Sequence, residues 1–153
     1  TRRIMISTAL IENPKLVIAD EPTPGLDPKL AKRAMEHFRQ LADMGAAVLV
    51  ITHDLELALE TADRVQVFYA GYTIEDAAVD DFNEEETLRH PYTRALWRAM
   101  PKHGFQYING VQPYVKDNLQ GCPFAPRCDR KSQECQDEIP WKASGSGYVR
   151  CIL

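Results

Sequence analysis

Asp20 and Glu21 stand side by side at the end of the apolar run Leu16-Val17-Ile18-Ala19, and Pro22 follows at once. Two carboxylates at the end of a strand can divide a hydrolysis between them: one holds Mg2+, the other orients or deprotonates a water. A second apolar run, Ala46-Ala47-Val48-Leu49-Val50-Ile51, ends in Thr52-His53-Asp54. It brings an imidazole to the end of a second strand. Read singly, each piece is equally a strand followed by a polar turn. A third chemical group is Cys122, Cys128, Cys135 and Cys151, separated by five, six and fifteen residues. Four thiols can pair as disulfides in three ways, take zinc tetrahedrally or carry a [4Fe–4S] cluster. The spacing lacks the short knuckles of common zinc ribbons.

Positioning these groups requires particular elements. The runs over 15–19 and 47–51 read as short, fully buried strands. Pro22 cannot continue a central strand, so the carboxylates lie at its carboxyl edge, where open α/β sheets bind ligands. Pro28 to Met44 reads as an amphipathic helix with Leu30, Ala34, Phe38, Leu41 and Met44 on one stripe, and Gly45 stops it. Residues 3–12 read as a helix ended by Asn13-Pro14. Asp54 caps a helix over 55–62. Residues 64–69 and 72–79 read as a hairpin, and Pro91 opens a helix that runs to Met100. The acidic residues between Glu75 and Glu86 read as a solvated surface and a helix start. After Met100 the periodicity fades into a segment rich in Pro, Gly and Cys.

Composition narrows the function classes. The chain has 153 residues, a hydrophobic fraction of 44% and a net charge of −4. The charge argues against a nucleic-acid binder, which shows a basic footprint. No apolar run approaches the roughly 20 residues that cross a bilayer.

The string Leu16-Val17-Ile18-Ala19-Asp20-Glu21-Pro22, then Leu26-Asp27, then Val48-Leu49-Val50-Ile51-Thr52-His53 resembles the Walker B motif, D-loop and H-loop of ABC-transporter ATPases, in order and spacing. His90-Pro91-Tyr92-Thr93-Arg94-Ala95-Leu96 and Cys122-Pro123-Phe124-Ala125-Pro126-Arg127-Cys128 resemble the ATPase subunits of oligopeptide, dipeptide and nickel importers. The resemblance implies an α/β fold: the C-terminal half of a P-loop (RecA-like) ATPase sheet with flanking helices over 1–100, and an irregular cysteine-containing extension over 101–153. It implies that Asp20 holds Mg2+ through water and that Glu21 is the catalytic carboxylate. It further implies that His53 contacts the γ-phosphate of ATP and that Asp27 communicates across a dimer. It also favours a [4Fe–4S] cluster on the four cysteines, with Zn2+ as the alternative, stapling the extension. Pro24-Gly25 and Arg2 depart from the family's usual residues without removing a catalytic group.

Neither a phosphate loop nor a Leu-Ser-Gly-Gly signature occurs in the chain. The expectation is therefore a fragment, inactive alone, of an ATPase that drives uptake of peptides or nickel. The partners implied are a second ATPase subunit, two membrane-spanning permease subunits and, indirectly, an extracellular substrate-binding protein, with the chain at the cytoplasmic face of the membrane. The alternative is a non-hydrolytic metal- or cluster-binding regulatory module that carries an incomplete ATPase half.

Overall fold

The computed structural model describes residues 14–114 and 120–153, which divide by packing into two compact units at Ala62/Asp63. The helix expected over 3–12, with Arg2, lies outside the described residues.

The first unit runs β1 (Leu16–Asp20), α1 (Pro28–Asp43), β2 (Ala47–Ile51) and α2 (Leu55–Thr61). The two strands are parallel, in register from Leu16↔Ala47 to Asp20↔Ile51. Parallel neighbours need a crossover, and α1 supplies it. Pro28 opens α1 with its φ already helical, and the Asp27 carboxylate accepts the Leu30 N–H at 3.1 Å. Gly45, at φ +98°, ends the helix where an L side chain would be strained. Val17 of β1 packs with Met35, Phe38 and Leu41 of α1, and Ala19, Val48, Val50 and Leu57 close around them.

Two expectations are corrected here. The strands are half-buried, not fully buried: Leu16, Ile18, Leu49 and Ile51 are 57, 62, 50 and 49% exposed. Side chains alternate between the faces of a strand, and α1 covers only the face that carries Val17. The helix stripe also shifts. Met44 falls at the C-cap and is exposed, while Met35, one position beyond Ala34, enters the core.

The second unit begins with the hairpin β3 (Arg64–Tyr69) and β4 (Tyr72–Ala78). Ala70 and Gly71 both have positive φ, 47° and 84°, as a two-residue hairpin turn of the right twist demands. Two 3-10 turns follow, at Val79–Asn83 and Glu85–Thr87, where a helix start was expected, and then α3 (Pro91–Ala99). The sequence reading found no strands after Met100. The structure has two, β5 (Lys142–Ser144) and β6 (Gly147–Val149), and the sheet order is β3-β4-β6-β5, antiparallel throughout. Residues of the expected extension thus share a sheet with the hairpin. Gly147 makes this contact possible: a Cβ there would stand 1.9 Å from the Asp76 carbonyl oxygen.

The core of this unit is closed. Tyr69, Ile74, Leu88 and Val149 are almost wholly buried, and Tyr69, Tyr92 and Phe124 pack ring against ring at 4.5–5.4 Å. Glu75 is fully buried as well. Its carboxylate accepts the Arg89 and His90 N–H groups at 2.9 and 2.7 Å, which ties β4 to the start of α3. An acceptor for two N–H groups that a helix start leaves unpaired offsets the cost of burying the carboxylate. Among the described residues, no helix is long and apolar enough to cross a membrane.

Candidate functional site

Two groups of side chains combine the residue types and geometry for chemistry: one at the carboxyl ends of β1 and β2, the other around the cysteines. Each lies within one unit.

At the strand ends, the Glu21 N–H donates to the Ile51 carbonyl at 2.8 Å and carries the ladder one step past β1. The chain then turns with Glu21 at φ +44°. A non-glycine residue held there costs on the order of 1–3 kcal/mol. The turn sets Glu21 Oε1 2.8 Å from His53 Nδ1. His53 is 80% exposed and Glu21 is 38% exposed by side chain. The hydrogen bond to Glu21, and then its negative charge, push the His53 pKa up from its ordinary value. The second carboxylate oxygen, Glu21 Oε2, is buried without a hydrogen-bond partner. One oxygen is thus engaged, and the other is buried with its hydrogen-bonding capacity unused. Asp20 ends β1 and is exposed. His53 is steadied from behind: the Thr52 hydroxyl accepts the Asp54 N–H, and the Asp54 carboxylate caps α2 through the Leu57 N–H. The structure brings Glu21 and His53 together. Asp27 serves as the α1 cap, a role the sequence motif did not disclose. Mg2+ suits this edge in kind, because the exposed Asp20 carboxylate offers hard oxygen ligands, and the phosphates of ATP would meet the edge through that ion.

In the second unit all four cysteines are free thiols, and Cys122, Cys135 and Cys151 are buried. The Cys122 N–H donates to the Cys135 carbonyl at 2.8 Å. Gly121 lies so close to that backbone that a Cβ would meet the Cys135 oxygen at 2.2 Å. Burial pushes the Cys122 thiol up, the N–H groups of Phe124 and Ala125 oppose it, and Cys151 and Cys135 add to it. Cys128 is likewise pushed up by burial, opposed by the Arg130 N–H. The expected metal set was Cys122, Cys128, Cys135 and Cys151. Among the described residues, no three His, Cys, Asp or Glu side chains form a group that could hold a metal ion.

Sequence reading missed His90 as a partner of this region. It is 1% exposed, burial holds its pKa down at about 4, and its Nε2 lies 3.7 Å from Cys122 Sγ. Its Nδ1 accepts the Tyr92 N–H at 3.0 Å and caps α3. The available signal was a polar residue directly before Pro91. Arg127 closes the region, donating to the Ile108 and Asn109 carbonyls and the Tyr69 hydroxyl at 2.7–3.0 Å.

Comparison with known proteins matches residues 74–135 to the family described as oligopeptide/dipeptide transporter, C-terminal region. Over 91% of its length the chain is 42% identical to a probable peptide ABC transporter ATP-binding protein, y4tR, of Sinorhizobium fredii, of which it covers 43%. It is 40% identical to the oligopeptide transport ATP-binding protein AppD of Bacillus subtilis, over 99% of this chain and 48% of that one. It is 37% identical to the dipeptide transport ATP-binding protein DppD of Haemophilus influenzae, over 99% of this chain and 47% of that one. The chain spans about half the length of the curated relatives it matches.

Proposed function

We propose, for a chain that belongs to the family of peptide ABC-transporter ATP-binding proteins, that it supplies the water-activating edge of an ATPase that drives peptide uptake. The observation that carries the reading is the 2.8 Å pair of Glu21 and His53, with Glu21 Oε2 left unpartnered. His53 engages Oε1 and holds the partly exposed carboxylate in one orientation at the strand ends, where Glu21 would accept a proton from water. The turn at Glu21 sets the direction in which its side chain leaves the backbone. A His53 that stays protonated to higher pH than usual carries positive charge, which suits a phosphate oxygen. Asp20 would hold Mg2+ through water, and the bound ion supplies neutralisation of phosphate charge. Asp27 would face a second ATPase subunit.

The partners of this reading are that second ATPase subunit, two membrane-spanning permease subunits and an extracellular peptide-binding protein. The chain is peripheral, at the cytoplasmic face of the membrane. The family resemblance also implies a [4Fe–4S] cluster or Zn2+ on the cysteines. No step of the reading depends on it.

The test is Glu21→Gln in the transporter that contains this chain. ATP turnover and uptake of a labelled dipeptide should fall by about 10²–10⁴-fold, the usual contribution of a general base, with ATP binding retained. Turnover within about tenfold of wild type would remove Glu21 from the role. The 153-residue chain alone should show no turnover, because it contains no phosphate loop.

A further inference from the structure

Thr52, His53 and Asp54 connect the end of β2 to the start of α2. Thr52 Oγ1 accepts the Asp54 N–H at 3.1 Å, a bridge that spans both peptide units of His53. Asp54 Oδ1 accepts the Leu57 N–H at 3.0 Å, and the Asp54 carbonyl accepts the Ala58 N–H at 3.1 Å. The residue after His53 is thereby fixed as the N-cap of α2. On the other side, the Ile51 carbonyl accepts the Glu21 N–H at 2.8 Å and fixes the chain two residues before His53. The His53 backbone is held from both directions, yet its side chain is 80% exposed. An imidazole with so little packing around it depends on its backbone to select a rotamer. Here the selected rotamer sets Nδ1 2.8 Å from Glu21 Oε1. A carboxylate only accepts hydrogen bonds, so Nδ1 carries the proton, and Nε2 is the ring nitrogen left for a ligand.

We infer that Thr52 and Asp54 are positioning residues of the strand-end site: their two hydrogen bonds clamp the chain on either side of His53, so that the imidazole keeps Nδ1 on Glu21 and offers Nε2 to a phosphate oxygen. The inference rests on the reading of Glu21 and His53 as the reacting edge and adds what aims the histidine. Both residues act through His53 and not on the phosphate. The charge on Asp54 works in the same direction. The hydrogen bond to Glu21 and then the Glu21 charge raise the His53 pKa, and the Asp54 carboxylate adds to them. Charge and cap are separable, because Asn caps a helix about as well as Asp does.

The test reads the His53 ring by ¹⁵N NMR of the 153-residue chain, above the pH at which the ring loses its charge. Wild type, which needs no variant to fold, should show the Nδ1–H tautomer. Asp54→Ala removes the cap and Thr52→Val removes the bridge. In each the ring should move toward the Nε2–H tautomer that an unrestrained histidine favours, and its pKa should fall toward about 6.5. Asp54→Asn and Thr52→Ser, which keep the two acceptors, should restore the Nδ1–H form. Glu60→Gln breaks the 2.8 Å ion pair with Lys32 at the other end of α2 and leaves the clamp untouched, so His53 should not respond. An Nε2–H ring in wild type would overturn the inference. So would an unchanged ring in both Asp54→Ala and Thr52→Val, or a response to Glu60→Gln as large as theirs. In the transporter that contains this chain, Asp54→Ala should lower ATP turnover about tenfold to a hundredfold, the cost of a small misplacement, and Asp54→Asn should recover it. The two readings fail separately. If the ring responds as stated and turnover does not, the clamp stands and His53 loses its part in hydrolysis. If Glu21→Gln abolishes turnover while the ring ignores both clamp variants, the hydrolytic reading stands and the clamp fails.

Discussion

The two units solve the burial problem to different degrees. In the second, an antiparallel sheet, α3 and the Cys-Pro-Phe segment enclose Tyr69, Ile74, Leu88, Phe124 and Val149, and even the Glu75 carboxylate is sealed in with its donors. In the first, one helix covers one face of a two-stranded parallel sheet, and the opposite face keeps Ile18 and Leu49 half or more exposed. Antiparallel sheets tolerate a solvated face, but parallel ones are normally covered on both. The contrast separates a unit whose stability is its own from one that gains little from half of its apolar side chains. The candidate ATPase edge sits on the second kind of scaffold. A strained turn and an exposed charge pair there do not draw on a deep core.

The largest test of this contrast is a pair of substitutions. Phe124→Ala should cost about 3–5 kcal/mol, the usual loss for a buried aromatic. Ile18→Ser, on the open face of β1, should stay within about 0.5 kcal/mol, as for ordinary surface changes. Both tryptophans, Trp97 and Trp141, lie in the second unit. Tryptophan fluorescence in a urea titration therefore follows that unit alone, and methyl NMR of Val17 and Ile18 follows the other. Equal losses for the two substitutions would mean that the open face of β1 is covered in solution.

A smaller effect comes from pH, with opposite sign in the two units. Burial alone would push Asp81 up, but hydrogen bonds from Ser146, Arg89 and the Ala78 N–H win and hold its pKa below the ordinary value. A carboxylate depressed in the folded state stabilises above its unfolded pKa, and that contribution is lost as pH falls through the folded value. The second unit should weaken below about pH 4, and Asp81→Asn should flatten the loss. His53 is raised, so its contribution is present below its unfolded pKa, near 6.5, and disappears as pH rises through the folded value. The smallest effect expected is a local one. Glu21→Gln should lower the His53 pKa toward about 6.5 by NMR titration. An unchanged His53 titration would mean that the 2.8 Å contact does not persist in solution.

Much of this was legible in the residues. The two strands, α1 with its Pro28 start and Gly45 stop, the Asp54 cap and the Ala70-Gly71 turn all follow from local patterns, because each depends on neighbours within a few residues. That Glu21 and His53 stand at ends of neighbouring strands followed only from two motifs read together, and their hydrogen bond, across 32 residues of chain, was not legible. The strands over 142–149 were not legible. Three-residue strands carry almost no periodicity, and they form because Gly147 lets β6 approach β4. Nor was the half-exposure of Leu16 and Ile18 legible, because an unbroken apolar run looks the same whether one face is covered or two.

The sequence by itself determined the order of elements and the identity of the reactive groups, for backbone propensity and side-chain chemistry are local properties. Only the tertiary structure decided which groups meet. It set Glu21 Oε1 against His53 Nδ1, left Oε2 without a partner, and placed His90 Nε2 3.7 Å from Cys122 Sγ. The physical reason is that hydrogen bonds and ligand sets depend on distances of a few ångströms between residues far apart in the chain. Those distances are fixed by packing, which no local pattern encodes.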